Sequence, residues 1–133
     1  MSAFPPPAEL LPHTPPMILI DEVLEYQFPH VRCRATIRPD SVFVEDGKVP
    51  GLVCIEYMAQ TIGAIVGLGA RSKGQPIRIG FLLGTREMSV EVDHFEVGDE
   101  LILDADHVFG EEMLGSFKCS VSRRGQNVAS ALI

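Results

Sequence analysis

The stretch LVCIEYMAQTIGAIVGLGAR, residues 52–71, decides the architecture of this 133-residue chain. Its apolar side chains recur at helical spacing, at Ile55, Ala59, Ile62, Val66, Leu68 and Ala70. The run is too long for one strand, and a helix that is apolar on nearly every side is a buried helix. Pro50-Gly51 gives its start signal and Lys73-Gly74 its stop signal. The stretch therefore predicts one long helix in the centre of the protein.

Strand-like segments lie on both sides of this helix. They cover residues 17–26 and 31–37 before it, and residues 76–92, 99–109, 113–124 and 126–133 after it. Turn signals separate the later segments, which is typical of an antiparallel meander. One sheet that curves around one helix satisfies this order, and the chain is long enough for one core only. We therefore expect an α+β fold in a single domain, residues 1–133, with a loop at residues 39–50.

The composition is that of a folded protein, with 46% hydrophobic and 22% charged residues. A net charge of −7 argues against nucleic acid as a partner, because phosphate binding needs a basic surface. The three cysteines have no metal-ligand spacing, so neither a metal site nor a disulfide framework is expected. The Pro-rich start, residues 1–16, allows at most a short helical turn and lacks the basic region of a signal peptide. With no membrane span expected either, we expect a cytoplasmic protein.

Glu56 is the most informative position for chemistry, because it places a carboxyl group early in a helix made for burial. The helix N-terminus favours the ionised form of such a group, whereas apolar burial favours the neutral form. Opposed influences of this kind can tune a carboxyl group for general acid and base catalysis. Cys54, two residues earlier, has no base beside it in the sequence, so we expect it to be a buried packing residue.

One face of the helix carries two polar residues followed by two glycines. These positions are Glu56, Gln60, Gly63 and Gly67. The glycines predict a shallow groove in which a ligand can approach the backbone closely. The same pattern fits close packing of a neighbouring strand or of a symmetry-related helix, with Glu56 as a cap. The spacing alone leaves both interpretations open.

His13 differs from the other three histidines in its context. It lies in the segment LPHTPP, residues 11–16, which leads into the first predicted strand. Prolines restrict this backbone, and a rigid loop is a suitable mount for a catalytic group. His30, His94 and His107 lie at a turn or in an acidic region, so we expect surface or hydrogen-bonding roles for them.

Five segments of the chain carry a resemblance to a known family. They are LLPHTPPMILIDEVLEY (10–26), VPGLVCIEYMAQTIGA (49–64), F-x-x-G-D-E-L (95–101), GSFKCSV (115–121) and VASALI (128–133). The chain resembles the FabZ-type 3-hydroxyacyl-ACP dehydratases, and above all their ApeP-like branch of predicted dehydratases linked to aryl polyene-type lipids. P-G-x-x-x-I-E-x-x-A-Q is the most specific part. The resemblance implies the hotdog fold, a long helix wrapped by an antiparallel sheet, and a dimer with its active site at the subunit interface.

The resemblance also implies roles for individual residues. Glu56 falls on the family's catalytic acid, and Gln60 falls on the glutamine one turn beyond it. The usual histidine of the family lies in a G-H-F-P segment, and the position that corresponds to it here is Val42. Either His13 replaces the missing base or Glu56 works without a histidine. A third possibility is a non-catalytic subunit that supports a catalytic relative.

The resulting hypothesis is a dehydratase that forms a trans-2-enoyl thioester from a 3-hydroxyacyl group on acyl carrier protein, in fatty-acid or aryl-polyene-type lipid biosynthesis. His13 would take the α-proton and Glu56 would protonate the leaving hydroxyl, with no metal or redox cofactor. Backbone N–H groups at the helix start would polarise the thioester carbonyl, and the acyl chain would follow the glycine groove. The residues expected to contact the substrate are Gly51, Leu52, Gln60, Gly63 and Gly67.

A basic cluster at and after the end of the helix suggests where the acyl carrier protein binds. Its members are Arg71, Lys73, Arg78 and Arg86, with no acidic residue between them. They are candidates for the pantetheine phosphate or the acidic carrier protein, although most such clusters are solvated surface. Two alternatives to the dehydratase remain, a hotdog thioesterase in which the helical carboxylate activates water, and an acyl-binding subunit that pairs with a second hotdog chain. The dimer would then be a homodimer or a hetero-oligomer.

Overall fold

A computed structural model describes residues 4–11, 17–74, 87–110 and 115–133. Its helical elements are 3₁₀ turns at Pro7–Glu9 and Gly51–Val53 and the helix α1 at Cys54–Ser72. Its strands are β1 Glu22–Gln27, β2 His30–Thr36, β3 Lys48–Pro50, β4 Glu87–Val90, β5 His94–Glu96, β6 Glu100–Phe109, β7 Ser116–Arg123 and β8 Gln126–Leu132. The predicted central helix is confirmed, and the second 3₁₀ turn runs directly into its start.

Six strands form one antiparallel sheet in the order β1–β2–β6–β7–β8–β4. The long strand β6 lies between β2 and β7 and pairs with β2 without a break, from His30 opposite Asp106 to Thr36 opposite Glu100. β3 and β5 form a separate two-stranded ribbon. Within the described residues, β1 and β4 are the edges of the large sheet. The predicted antiparallel sheet is therefore present, and β4 lies inside the predicted strand 76–92, whose first part lies outside the described ranges.

Helix α1 packs against one face of this sheet, chiefly on β2, β6 and β7. Alternate side chains of these strands are buried, as expected for a sheet with one face on the core. The buried strand residues are Val31, Cys33, Ala35, Leu101, Leu103, Ala105, Phe117, Cys119 and Val121. The helix residues packed among them are Tyr57, Met58, Ala64, Ile65 and Leu68. The core thus lies between one helix and one curved sheet, which is the arrangement the resemblance implies.

The rod formed by the second 3₁₀ turn and α1, Gly51–Ser72, is long and apolar enough to cross a membrane by length and composition alone. In this fold, 56% of the most apolar 18-residue stretch of the rod is buried inside the protein. Core helices of soluble proteins pass the same test. Burial inside the protein therefore accounts for about half of this apolar stretch, and Ile55, Ile62 and Val66 are only partly buried.

The first strand begins later than its sequence predicts, at Glu22 and not at residue 17. Leu19 and Ile20 are neighbours in sequence and are both buried, so this stretch does not alternate as a strand would. The backbone N–H of Leu19 donates to the side chain of Gln60 on α1, at 2.8 Å. A hydrogen bond to the helix thus replaces a strand partner at this position.

Strand β3 lies in residues 39–50, for which the sequence predicts a loop. It has three residues, and its central Val49 is opposite Phe95 of β5. Both side chains are fully buried, so the core fixes this pair. Three residues that end in a proline are too few to show an alternating pattern, which is why the sequence does not reveal this strand. Its position matters because β3 leads directly into the helix start.

Candidate active site

Gly51 fixes the start of the helical rod against Val92 and Asp93, which directly precede β5. The Gly51 N–H donates to the backbone oxygen of Asp93 at 2.9 Å. A Cβ atom at Gly51 would lie 2.3 Å from the backbone oxygen of Val92, so the position has no room for a side chain. The prediction that the Gly51 amide polarises a thioester carbonyl is therefore wrong, because that N–H already has a partner. Gly51 has a structural role, because the absence of a side chain lets the helix start pack directly on the backbone of Val92 and Asp93.

Leu52 follows Gly51 and has a different environment. Its side chain is 73% exposed, although it belongs to the first turn of an otherwise buried rod. The first backbone N–H groups of a helix have no acceptor within the helix and favour a negatively charged group. The predicted role of the Leu52 amide as a donor to the substrate carbonyl stays a prediction, and the exposed position suits it.

Glu56 lies in the first turn of α1 and is partly buried. Its carboxylate Oε1 accepts a hydrogen bond from Nε2 of Gln60, one helical turn later, at 2.9 Å. The helix therefore presents the acid at the end where its dipole is positive, and a neighbouring amide holds one of its two oxygens. This is the arrangement of an oriented carboxyl group, and the catalytic role of Glu56 stays a prediction.

Gln60 is fully buried, which differs from its predicted role in binding substrate. Its Oε1 accepts the Leu19 N–H at 2.8 Å, and its Nε2 donates to the Met17 backbone oxygen at 2.7 Å as well as to Glu56. A side chain with no exposed surface cannot contact a substrate in this state. Gln60 instead connects the acid to the backbone at residues 17–19. The sequence showed a polar residue on the right face but not the segment that it bonds to.

The two glycines on the same face pack against the chain's own N-terminal segment. A Cβ atom at Gly67 would lie 2.3 Å from the backbone oxygen of Leu10, and one at Gly63 would lie 2.8 Å from Cδ2 of Leu11. Leu10 and Leu11 are buried in these contacts. The predicted acyl groove along Gly63 and Gly67 is therefore wrong, since the glycines admit a packed segment. Close packing was the alternative that the spacing left open, but the packed segment is neither the strand nor the symmetry-related helix named there.

His13 lies outside the described residues, so its predicted role as the base stays a prediction. The described residues on either side of it contact the helix face that carries Glu56. Leu11 packs on Gly63, and the Met17 carbonyl accepts a hydrogen bond from Gln60. Both ends of the segment that contains His13 are thus held on the face of the acid.

The two described members of the basic cluster, Arg71 and Lys73, lie at the opposite end of the helix from the acid. Arg71 and Lys73 are exposed, and Nη1 of Arg71 lies 3.4 Å from Oε1 of Glu9. Arg71 is fifteen residues beyond Glu56, which corresponds to about 22 Å along a helix axis. Arg78 and Arg86 lie outside the described residues. Arg71 and Lys73 can therefore meet only a part of a substrate that is distant from the acid.

Comparison with known proteins agrees with this geometry. A family model of the ApeP dehydratases matches residues 5–133. The chain belongs to this family. It is similar to a chain of the dehydratase heterocomplex ApeI:P from Xenorhabdus doucetiae, with 31% sequence identity and a TM-score of 0.92. That match covers 97% of this chain and 88% of the other.

Two structures at lower identity share the fold of this ApeP-family chain. One is a hypothetical thioesterase protein with coenzyme A from Streptococcus pneumoniae, with 18% identity, a TM-score of 0.62, and coverage of 84% of this chain and 82% of that chain. The other is the phenylacetic acid degradation protein PaaI from Thermus thermophilus, with 15% identity, a TM-score of 0.60, and coverage of 84% and 87%. At such identities the likeness shows the hotdog fold alone.

The three described histidines of this ApeP-family chain have partners of their own. His30 lies between Asp104 and Asp106, with N···O distances of 3.3 and 3.0 Å. His107 lies between the rings of Phe28 and Phe117, with centroid distances of 5.7 and 5.0 Å. The third, His94, has one ring nitrogen 3.6 Å from a carboxylate oxygen of Asp93 and the other 3.5 Å from a carboxylate oxygen of Glu96. His30 and His94 have the surface or hydrogen-bonding roles that the sequence predicts. His107 differs, because it packs between two phenylalanine rings and its buried Nε2 has no hydrogen-bond partner among the described residues.

The cysteines of this ApeP-family chain are buried packing residues, as predicted for Cys54. Burial raises the pKa of Cys33, Cys54 and Cys119 to about 12, because a thiolate loses its hydration inside the core. A thiol is a nucleophile only as the thiolate. Cys54 is therefore unsuited to nucleophilic catalysis despite its place at the helix start.

Among the described residues, no group of three or more possible metal ligands (His, Cys, Asp or Glu) comes together.

Proposed function

We propose that this chain is the acid-bearing subunit of a 3-hydroxyacyl-thioester dehydratase. One observation carries the proposal. Glu56 lies in the first turn of a buried helix, and a fully buried amide holds its Oε1 at 2.9 Å. A general acid must be held in one orientation to deliver its proton along a defined direction. Membership of the ApeP dehydratase family supports the reaction class.

In the proposed reaction, a base removes a proton from C2 of the substrate and the C3–O bond breaks. Glu56 donates its proton to the leaving hydroxyl, so the products are water and a trans-2-enoyl thioester. The charge that develops on the thioester oxygen needs donors, and the Leu52 N–H at the helix start is our candidate. The base ends with one proton more and Glu56 with one fewer, and exchange with solvent restores both. No redox step is involved.

We assign the role of the base to His13. Its flanking residues Leu11 and Met17 are both held on the face of α1 that carries Glu56, which supports this assignment. The position at which FabZ-type enzymes carry their histidine holds Val42, whose side chain is 43% exposed and cannot accept a proton. His13→Ala should therefore lower the rate by at least about a hundredfold. Retention of the full rate would remove His13 from the mechanism.

We propose that a second hotdog chain completes the acyl-binding site. The glycine face of α1 is closed by Leu10 and Leu11, so the acyl chain needs another surface. Two cavities of about 280 and 370 Å³ lie near Asp99 and Arg123, and charged residues form much of their lining. Strand β4 is an edge of the described sheet, and edge strands offer backbone groups for pairing with another chain. The similar ApeI:P assembly is a heterocomplex, which makes an unlike partner our first candidate.

The carrier is proposed to be acyl carrier protein, with the exposed Arg71 and Lys73 as contacts. The chain as a whole carries a net charge of −7, so an acidic carrier would be repelled except at a local basic surface. Arg71→Glu should raise KM for a carrier-bound substrate. It should leave KM unchanged for a short pantetheine thioester, which does not reach that end of the helix.

The test supplies 3-hydroxyacyl and simple acyl thioesters to the pure chain, alone and mixed with a second hotdog subunit. Enoyl absorbance and free thiol are followed separately. Enoyl without thiol supports the dehydratase, whereas thiol release supports a thioesterase. Glu56→Gln should abolish enoyl formation, while Glu25→Gln, an exposed glutamate on β1, serves as the control.

A non-catalytic subunit is the second candidate, favoured by Val42 at the histidine position and by the heterocomplex relative. It predicts that Glu56→Gln leaves the rate of the mixed complex unchanged. The dehydratase proposal predicts loss of that rate. The same variant in the same complex therefore distinguishes the two.

A further inference from the structure

Strand β4 presents one row of side chains to solvent along an edge of the described sheet. Glu87, Ser89 and Glu91 are exposed, whereas the two residues between them are partly buried and pack against the core. The Glu91 N–H donates to the backbone oxygen of Val128 at 2.8 Å, so the chain still follows β8 one residue beyond the end of β4. The solvent face of this edge is therefore glutamate, serine, glutamate.

The two edges of the described sheet differ in how their glutamates are neutralised. At the β1 edge, Oε1 of Glu22 lies 2.8 Å from Nε of Arg34 on the neighbouring strand β2. Oε2 of Glu25 lies 3.9 Å from Nη1 of Arg32 on the same strand. Strand β8, the neighbour of β4, reads QNVASAL and carries no charged residue, and no lysine or arginine occurs in residues 87–112. The neighbouring strand therefore does not neutralise the negative charge of the β4 edge.

A second copy of the chain would bring the same row of side chains against this edge. Residues directly opposite each other in an antiparallel pair point to the same face, so Glu91 would lie opposite Glu87, Ser89 or Glu91 of the second copy. Glutamates oppose each other directly in the first and third registers, and in the second Glu91 lies diagonal to both glutamates of the other copy. Glu87 also has a contact within its own chain, but in the second and third registers Glu91 meets Glu91 as well. Since facing like charges are destabilising, none of these registers favours self-pairing.

We propose that the acidic edge at β4 disfavours a second copy of this chain and selects a hotdog partner whose edge strand carries lysine or arginine at alternate positions. Such a strand places its basic side chains opposite Glu87 and Glu91 while the two backbones pair. The backbone groups of an edge pair with any strand, so the charges decide which strand is accepted. This inference rests on the proposed pairing of a second hotdog chain at β4. It adds the chemistry of that chain's edge and a physical reason why the two chains differ.

A charge-reversed copy of the chain serves as the basic partner in the test. The double variant Glu87→Lys/Glu91→Lys repels itself, but in a mixture with the wild type it places lysine opposite glutamate in each of these registers. Analytical ultracentrifugation compares the wild type, the variant and their equimolar mixture at about 50 mM salt. We expect the mixed dimer to have a Kd at least about tenfold lower than that of either protein alone. At about 1 M salt the three samples should become similar, because the charges are screened.

Glu25→Lys/Glu45→Lys is the matched control, because it changes the net charge equally at two exposed residues outside β4. Its mixture with the wild type should associate no more tightly than the wild type alone. Glu87→Gln/Glu91→Gln provides a second variant if the lysine variant does not unfold cooperatively in urea. Glutamine keeps the shape of the side chain and removes its charge, so this variant should associate with itself more tightly than the wild type does.

A mixture that associates no more tightly than the wild type alone overturns the inference. Hydrogen exchange locates the contact, because the N–H groups of residues 87–91 that point away from β8 should exchange more slowly in the mixed dimer. Association without this protection also overturns it. The measurements need no substrate, so they are independent of the proposed reaction. Charge-selective pairing supports the inference even if Glu56→Gln leaves turnover unchanged, and a pairing that ignores charge overturns it even if the protein dehydrates its substrate.

Discussion

Gly67→Ala should destabilise the protein, although alanine is the better helix former. The added Cβ would lie 2.3 Å from the backbone oxygen of Leu10, and 3.0 and 3.1 Å from the adjacent C and Cα atoms. These are backbone atoms of a buried segment, so no rotation of a side chain relieves the contact. The segment itself must move away from α1.

The size of the effect can be worked out from the contacts. Replacing glycine by alanine inside a helix contributes roughly 0.5–1 kcal/mol of stability. Overpacking of a filled core costs about 1–3 kcal/mol, and each leucine that loses its burial costs about 1.5–3 kcal/mol. Leu10 and Leu11 are 0% and 3% exposed, so both have burial to lose. The overpacking cost less the gain in helix propensity leaves a loss of about 0–2.5 kcal/mol, and a partial loss of the burial of the two leucines brings the expected net loss for Gly67→Ala to about 1–3 kcal/mol.

Gly63→Ala is the matched control on the same helix face. Its Cβ would lie 2.8 Å from Cδ2 of Leu11, which is the end of a flexible side chain that can rotate. The steric cost should therefore be close to the gain in helix propensity, and the variant should stay within about 1 kcal/mol of the wild type. The comparison isolates the backbone contact from the change in residue type.

Urea unfolding of both variants and the wild type measures this difference, and hydrogen exchange of the Leu19 amide reports on the segment. That amide donates to Gln60, so it should exchange faster in Gly67→Ala if the segment shifts. If Gly67→Ala is as stable as Gly63→Ala and protects Leu19 equally, the backbone of Leu10 does not lie against Gly67. The account of this helix face would then be refuted.

Two further predictions concern the core and a turn. Burial raises the pKa of Cys33, Cys54 and Cys119 from 9.0 to about 12, so their stabilising contribution is complete below pH 9 and is lost as the pH rises from 9 toward 12. Urea unfolding across this range should show a falling free energy of unfolding, and a flat profile would contradict the burial of the thiols. Asp99→Ala should cost about 2–4 kcal/mol, because Asp99 is 8% exposed, lies 3.2 Å from Arg123 and accepts a backbone N–H. Asp99→Asn keeps an acceptor and should cost less in the same measurement, and an equal cost would count against this hydrogen bond.

The central helix and the order of strands were predictable because each rests on a long pattern. The apolar run at 52–71 exceeds any strand, and its start and stop signals fall within two residues of the observed ends of the rod, Gly51–Ser72. Strand β3 was missed because three residues are too few to show an alternation of apolar and polar side chains. β1 was predicted five residues too early because residues 17–20 are all apolar, and the sequence does not show that the Leu19 N–H bonds to Gln60 and not to a strand.

The position of Glu56 in the first turn of the helix was predictable from the sequence, and the contacts around it were not. Glu56 is conspicuous because a carboxyl group is rare on a buried helix face. A glycine that packs against a ligand and a glycine that packs against the chain's own backbone give the same sequence pattern. The contact of Gly67 with Leu10 could therefore not be predicted from the sequence. Gln60 was ambiguous for a similar reason. Its partners lie 41 and 43 residues away, and sequence spacing does not reveal contacts at that separation.

The docked N-terminal segment has a consequence for the order in which the protein is made. Leu10 and Leu11 emerge from the ribosome long before α1 has been synthesised, so at that stage the two leucines have no surface to bury against. A growing chain must carry them exposed until the whole helix face is available, and exposed apolar segments promote misassembly. The prolines that surround them limit the hydrogen bonds that such a segment can offer to another chain in the meantime. A segment that is synthesised before the helix is thus covered only after the helix has been completed.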